Sequence, residues 1–201
     1  MSNEKIKWYC DNCGLCCINI VVEVDGIHFG AFLLPHEIML FPRQYVRPMY
    51  GVGQKGKTRP RPEYVYAWQN ISEPCVYYDT HNRKCKIYDI RPTACKQFPI
   101  SLTRKGILLH RECPQVKALI SENVTITEGQ VSGLESEIQA MHFMELYYYS
   151  VYVINADAYD LEHTWFYDFR NEKWVKTTKE RLVRILKETG RLRGDKVNDG
   201  I

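Results

Sequence analysis

Eight cysteines dominate the chemistry available to this chain. Four stand in the opening run CDNCGLCC, as Cys10, Cys13, Cys16 and Cys17, and four follow at Cys75, Cys85, Cys95 and Cys113. The spacings are C-x2-C-x2-C-C and then C-x9-C-x9-C-x17-C. Thiolates two residues apart converge on one centre from a tight turn, as zinc knuckles and iron–sulfur loops use them. Gly14 lies inside the motif, where a left-handed backbone or a close approach to a metal group is easiest to build. The other cysteines fall at turns and strand ends, away from the alternating positions of a core. Metal ligation therefore stands ahead of a disulfide framework, of inert buried thiols and of a thiol-exchange dithiol, which needs neither eight cysteines nor this context.

The adjacent pair Cys16-Cys17 bears on how the ligands group. Neighbouring side chains in extended or turn-like backbone point in opposite directions. The expectation is that one of the pair joins Cys10 and Cys13 while the other faces the downstream cysteines. The loop would then be stitched to the Cys75–Cys113 region, through two thiol groups or one composite site. All-cysteine ligation suits zinc and iron–sulfur alike. The compact triple run, which bacterial ferredoxin-type loops complete with a distant fourth cysteine, favours a [4Fe–4S] centre, with zinc as the alternative. His81 and His110 lie near cysteines but read as turn and strand residues.

The elements that must position these thiols follow from length and patterning. The chain has 201 residues, 45% hydrophobic and 25% charged, with a net charge of +3. That suits one domain, or one domain with an elaboration, and is less basic than most nucleic-acid modules. Met1–Lys7 is polar and no apolar run is long enough to span a bilayer, so a soluble, cytoplasmic protein without membrane contact is expected. Thiols stay reduced in that compartment.

INIVVEVDGIHFGAFLL reads as a hairpin turning at Asp25-Gly26, with Ile18, Ile20, Val22 and Val24 on one face. LPHEIMLFP reads as helical turns opened by Pro35. Residues 43–62 carry Arg43, Arg47, Lys55, Lys57, Arg59 and Arg61 without periodicity and read as a long basic loop, a solvated insertion rather than a nucleic-acid surface. Strands are expected at EYVYAWQN, around THNRK, and as a hairpin turning at RKG. Pro114 opens a helix with Cys113 at its N-cap. Behind the capping-box pattern Ser132–Glu135 a long amphipathic helix runs to about Asn155 on Leu134, Ile138, Met141, Met144, Tyr148 and Val151. TWFYDFRNEKWV reads as a hairpin turning at Asn171, and a last helix capped by Thr177 runs to Gly190. The fold class is α+β: a cysteine-rich strand-and-loop module over residues 1–114, and a mainly helical region over residues 115–201 packed on the same core.

CDNCGLCC, CVYYDTHNRKCKIYDIRPTACKQFP and the later REC together resemble the CxxCxxCC family of zinc- or iron-chelating domains, often labelled iron–sulfur-cluster-containing proteins. The resemblance rests on the eight cysteines with Gly14, Ile87-Tyr88, Arg91-Pro92 and Phe98-Pro99. It implies metal binding in the cytosol but no reaction, and no catalytic residue is assigned. Arg91, beside thiolate-bound metal, would offset charge and donate toward sulfur, or else pair with a neighbour such as Asp89. Three functions follow. The first is an iron–sulfur protein with an electron-transfer or redox accessory role and a redox or protein partner. The second is a structural zinc module for protein or nucleic-acid interaction. The third is an S-adenosylmethionine-dependent methyltransferase, because flagellin lysine methylases resemble the family in the cysteine region. Those enzymes are longer, and this chain has no glycine-rich βαβ fingerprint.

Overall fold

Hairpin-forming alternation and turn residues decide most of the chain. The computed structural model describes residues 6–53, 57, 59–60, 64–103, 105–120, 124–127, 130–154 and 164–188. Lys55, Arg61, Asn155 and Gly190 of the sequence expectations lie outside these residues. In order, the strands are β1 (Ile6–Lys7), β2 (Val22–Val24), β3 (Ile27–Phe29), β4 (Ala31–Leu33), β5 (Val46–Val52), β6 (Val65–Asn70) and β7 (Tyr78–Asp79). They continue with β8 (Lys84–Cys85), β9 (Ile100–Thr103), β10 (Gly106–Leu109), β11 (Thr125–Ile126), β12 (Val131–Ser132), β13 (Thr164–Asp168) and β14 (Lys173–Thr177). The helices are α1 (Leu15–Ile18), α2 (Thr93–Gln97), α3 (Pro114–Leu119), α4 (Glu135–Tyr148) and α5 (Lys179–Glu188). None is long and apolar enough to cross a membrane among the described residues. Strands and helices together make the fold α+β.

The central sheet has five strands in the order β14-β13-β5-β6-β4, every neighbouring pair antiparallel. The C-terminal region is therefore more than helical cover, since its hairpin β13–β14 extends the sheet begun by residues 31–70. Part of the expected basic loop is strand: Val46–Val52 forms β5 in the middle of the sheet, after a 3-10 turn at Arg43–Tyr45. Pro48, Gly51 and Arg47 hid it from periodicity, and the register shifts between Pro48 and Tyr50 and again before Gly51. Proline lacks a ladder N–H. The fully buried Gln69 repairs the local bonding, its Nε2 donating to Pro48 O (2.8 Å) and Tyr167 O (3.1 Å) while its Oε1 accepts from Gly30 N (2.6 Å).

Asp25 (φ 56°) and Gly26 (φ 75°) make the β2–β3 turn with both positions left-handed, as a type I′ turn requires. Its buried side differs from the expectation, however. Ile27 and Phe29 of β3 face the core, Val22 is exposed, and Ile18 belongs to α1. The hairpins β7–β8, β9–β10 and β13–β14 form where the turn residues placed them. α4 starts later than its sequence suggested. Ser132 pairs in β12 with β1, and Gly133 N donates to Glu135 Oε1 (3.1 Å). Past Tyr148 the chain winds into a π-helical segment, Tyr149–Ile154. The Oγ1 that caps α5 is that of Thr178, accepting from Arg181 N (3.2 Å), rather than that of Thr177.

Two apolar cores result. One lies on the sheet and includes Phe29, Phe32, Tyr50, Val52, Phe166 and Leu182; the other, around β9–β11 and α3, includes Trp8, Leu102, Ile107, Leu109, Cys113 and Val116. α4 spans both, placing Met144 and Tyr148 in the first and Met141 in the second. Each such side chain contributes about 1.5–3 kcal/mol by leaving water.

Candidate metal centre

The opening motif is built around one glycine. Gly14 sits at φ 78° as the N-cap of α1, and its carbonyl accepts from Cys17 N (2.8 Å) and Ile18 N (3.1 Å). A Cβ there would lie 2.0 Å from the Tyr78 ring, so any side chain is excluded twice over, by backbone strain and by space. The tight turn winds Cys16 and Cys17 into the same helical turn. The expected opposite directions assumed extended or turn-like backbone, and the helix overturns them. The Cys17 thiol lies within hydrogen-bond reach of the sulfurs of Cys16, Cys75 and Cys85.

The downstream cysteines reach the same place by three routes. Cys75 N donates to Cys17 O (2.8 Å), which ties the second half of the motif directly to α1. Asn70, at the end of β6, holds the following turn: its Oδ1 accepts from Ser72 N and Oγ, and its Nδ2 lies 3.8 Å from Cys75 Sγ. Cys85 ends β8 in the short β7–β8 hairpin. Cys95 rides on α2, whose start is fixed by Glu37. That buried carboxylate accepts from Thr93 N (2.7 Å), Thr93 Oγ1 (2.8 Å) and Leu34 N (2.9 Å). Cys113 is the N-cap residue of α3, buried in the second core beside Trp8.

All eight cysteines line one cavity of about 60 Å³, several times the roughly 10–15 Å³ that one water needs. Two thiol neighbourhoods are visible in it. Cys16, Cys75 and Cys85 each lie within hydrogen-bond reach of Cys17, and Cys95 is close enough to feel the charge of Cys16, Cys75 and Cys85. Cys13 feels the charge of Cys113, and Cys10 is bonded to the Tyr88 hydroxyl. Among the described residues no three Cys, His, Asp or Glu side chains already close on a point as an ion's ligands would; the thiols surround a space instead.

The electrostatics divide the thiols. Hydrogen bonding from Cys17 pulls Cys85 down to about 6 and Cys75 to about 7 against the opposing effect of burial. Cys16 is lowered by its own contact with Cys17, and the Arg91 guanidinium also favours the thiolates of Cys16 and Cys85. Cys17, as the group's donor, is pushed up. Burial raises Cys95 and Cys13. Arg91 stacks over the Tyr88 ring (4.1 Å) and pairs with buried Glu137 on α4 (3.5 Å), not with Asp89. It lines the cavity with the thiols, as expected of a residue that offsets their charge.

The donor set fits a thiolate-bound metal group. A further observation agrees. Trp8 is buried in the same cavity wall, and its indole Nε1–H has no hydrogen-bond acceptor among the described residues. Buried donors are rarely left so, and a sulfur-rich group would offer acceptors. Glu37 and Glu137 carried no signal in the sequence, because their partners Thr93 and Arg91 lie far along the chain, and neither Trp8 nor Asn70 stands in a motif that announces its place. His81 sits exposed in the β7–β8 turn, and His110 faces a neighbouring cavity.

Comparison with known proteins agrees with this reading. The sequence profile of the CxxCxxCC family, described as "Putative zinc- or iron-chelating domain", matches residues 9–114, the stretch that supplies every cysteine. An uncharacterized protein of Methanocaldococcus jannaschii is 29% identical over 120 residues, covering 54% of this chain and 58% of its own length. The chain thus spans little more than half of that curated relative. No solved structure matches.

Proposed function

This chain belongs to the CxxCxxCC family of zinc- or iron-chelating domains, and from that premise we propose that its thiols hold an iron–sulfur centre of the [4Fe–4S] type. Metal binding is the family's property; the kind of centre is our reading. One observation carries it: eight cysteines from six separate elements and loops surround a single cavity. Eight thiols exceed what one tetrahedral ion takes. Cys16, Cys17, Cys75 and Cys85 would form one ligand set. Cys10, Cys13 and Cys113 would belong to a second, with Cys95 between them.

When bound, such a centre supplies one-electron transfer. The chain's own residues set its surroundings. Arg91 offsets the charge of Cys16 and Cys85, the Trp8 indole would donate toward the sulfur of such a centre, and Glu37 holds α2 so that Cys95 stays at the wall. We assign a redox accessory role with a protein partner, inside the cytoplasm. The methyl-transfer reading gains nothing from the geometry. Among the described residues the sheet is antiparallel, and the one parallel pair, β1–β12, is two residues long.

Anaerobic purification with metal and sulfide analysis tests the proposal. Brown protein with broad visible absorbance and stoichiometric iron and sulfide is expected. Colourless protein carrying stoichiometric zinc, which two four-thiol sites would also satisfy, overturns it.

A further inference from the structure

A second cavity, of about 480 Å³, shares part of its wall with the thiol cavity: Cys16, Ile20, Ala31, Cys95 and Phe98 line both. It lies between α1, the β2–β3 hairpin, α2 and the start of β9. Its size falls in the range of small-molecule sites, and its make-up matches theirs, an apolar body with a few convergent polar groups. The apolar part comes from residues such as Phe32, Val24 and Tyr148.

Besides Asn19 and Gln97, three polar residues of the wall stand together. Ser101 on β9 and His110 just after β10 are diagonal neighbours across the strand pair, with Ser101 Oγ 2.5 Å from His110 Nε2. The other ring nitrogen, His110 Nδ1, lies 3.6 Å from Glu112 Oε2, and the Phe98 ring stacks on the imidazole. Hydroxyl, imidazole and carboxylate all face the cavity. Glu112 is also the one carboxylate among the described lining residues, and no lysine or arginine lines the space. A phosphate or carboxylate would find no counter-charge there.

We propose that this cavity is a binding site for a small organic molecule with an apolar body and one amine or uncharged hydroxyl group. Ser101, His110 and Glu112 receive the polar end, and the Cys16 and Cys95 wall places the body against the metal centre. The inference rests on reading the thiol cavity as that centre, and it gives the centre a neighbouring ligand of defined class.

Titration calorimetry on the anaerobically purified protein tests it, with benzylamine, benzyl alcohol and benzoate as probes. Benzylamine is expected to bind saturably and benzoate at least about tenfold more weakly. Glu112→Gln should remove the preference of benzylamine over benzyl alcohol. Val22→Trp, at an exposed position on the cavity wall, should abolish binding of both while thermal midpoint and metal content stay unchanged. Absence of saturable binding by all three probes overturns the proposal, as does binding that Val22→Trp leaves intact. Iron, sulfide and zinc are measured on the same samples. Colourless zinc protein that still binds benzylamine would refute the iron–sulfur reading and support this one.

Discussion

Two neighbouring regions are held together by different physics. The central sheet buries Tyr50, Val52, Ala67 and Phe166 almost completely. Between Glu73 and Arg91, by contrast, no residue is fully buried, although the segment runs through two short strands and carries Cys75 and Cys85. The sheet has a hydrophobic reason to fold. The cysteine segment has much less, and what fixes it is turn bonding, its thiols and a few long-range contacts such as Tyr77 on Phe41 and Arg91 on Glu137. Small loop-rich segments of this kind draw their stability from bound metal. From this difference we expect a metal centre that is structural for the cysteine segment and of little consequence for the sheet.

The largest expected effect follows from removing the metal. Chelation, or Cys75→Ser with Cys85→Ser, should bring amide exchange in residues 73–91 close to unfolded rates while β5 and β6 stay protected. Hydrogen-exchange mass spectrometry reads both regions in one experiment. Equal loosening of sheet and segment would break the comparison. The converse change is Met144→Ala, in the sheet core. It should lower global stability by about 2–5 kcal/mol in denaturant melts and leave metal stoichiometry unchanged. Gly14→Ala comes next, because it strains a positive φ and meets the Tyr78 ring. It should cost about 1–3 kcal/mol and reduce metal retention, with Tyr78→Ala restoring only the part due to the ring.

The smallest effect is electrostatic. In metal-free protein Cys85 and Cys75 stand at about 6 and about 7, below the ordinary value of 9.0. Their folded-state values are lowered, so the stability they contribute is complete above pH 9 and is lost as pH falls through 7 and then 6. Alkylation rates should titrate in that lower window. Arg91→Leu should move the Cys85 midpoint upward and leave that of Cys75 nearly in place, since the guanidinium acts on the former.

Much of this was legible in the sequence, for reasons that can be named. Cysteine spacing, Asp25-Gly26 and the hairpin turns carry local signals, and local signals survive into the fold. Two misreadings and one omission share another origin. Strand β5 was hidden because Pro48 and Gly51 break alternation, and its repair comes from Gln69 on another strand. Cys16 and Cys17 were expected to diverge because nothing adjacent announces a helical turn of four residues; Gly14 makes it possible and Tyr78, far along the chain, makes the glycine necessary. Glu37, inside the expected helical turns, drew no reading of its own, because its partner Thr93 stands far along the chain. Long-range partners leave no periodicity to read.

The most direct test of the central claim is X-ray absorption at the iron and zinc edges of anaerobically purified protein. The account predicts iron with a sulfur-only first shell and a short iron–iron vector, both diminished in Cys17→Ser or Cys85→Ser. Iron with a nitrogen or oxygen shell, or a spectrum that these substitutions leave unchanged, would contradict it.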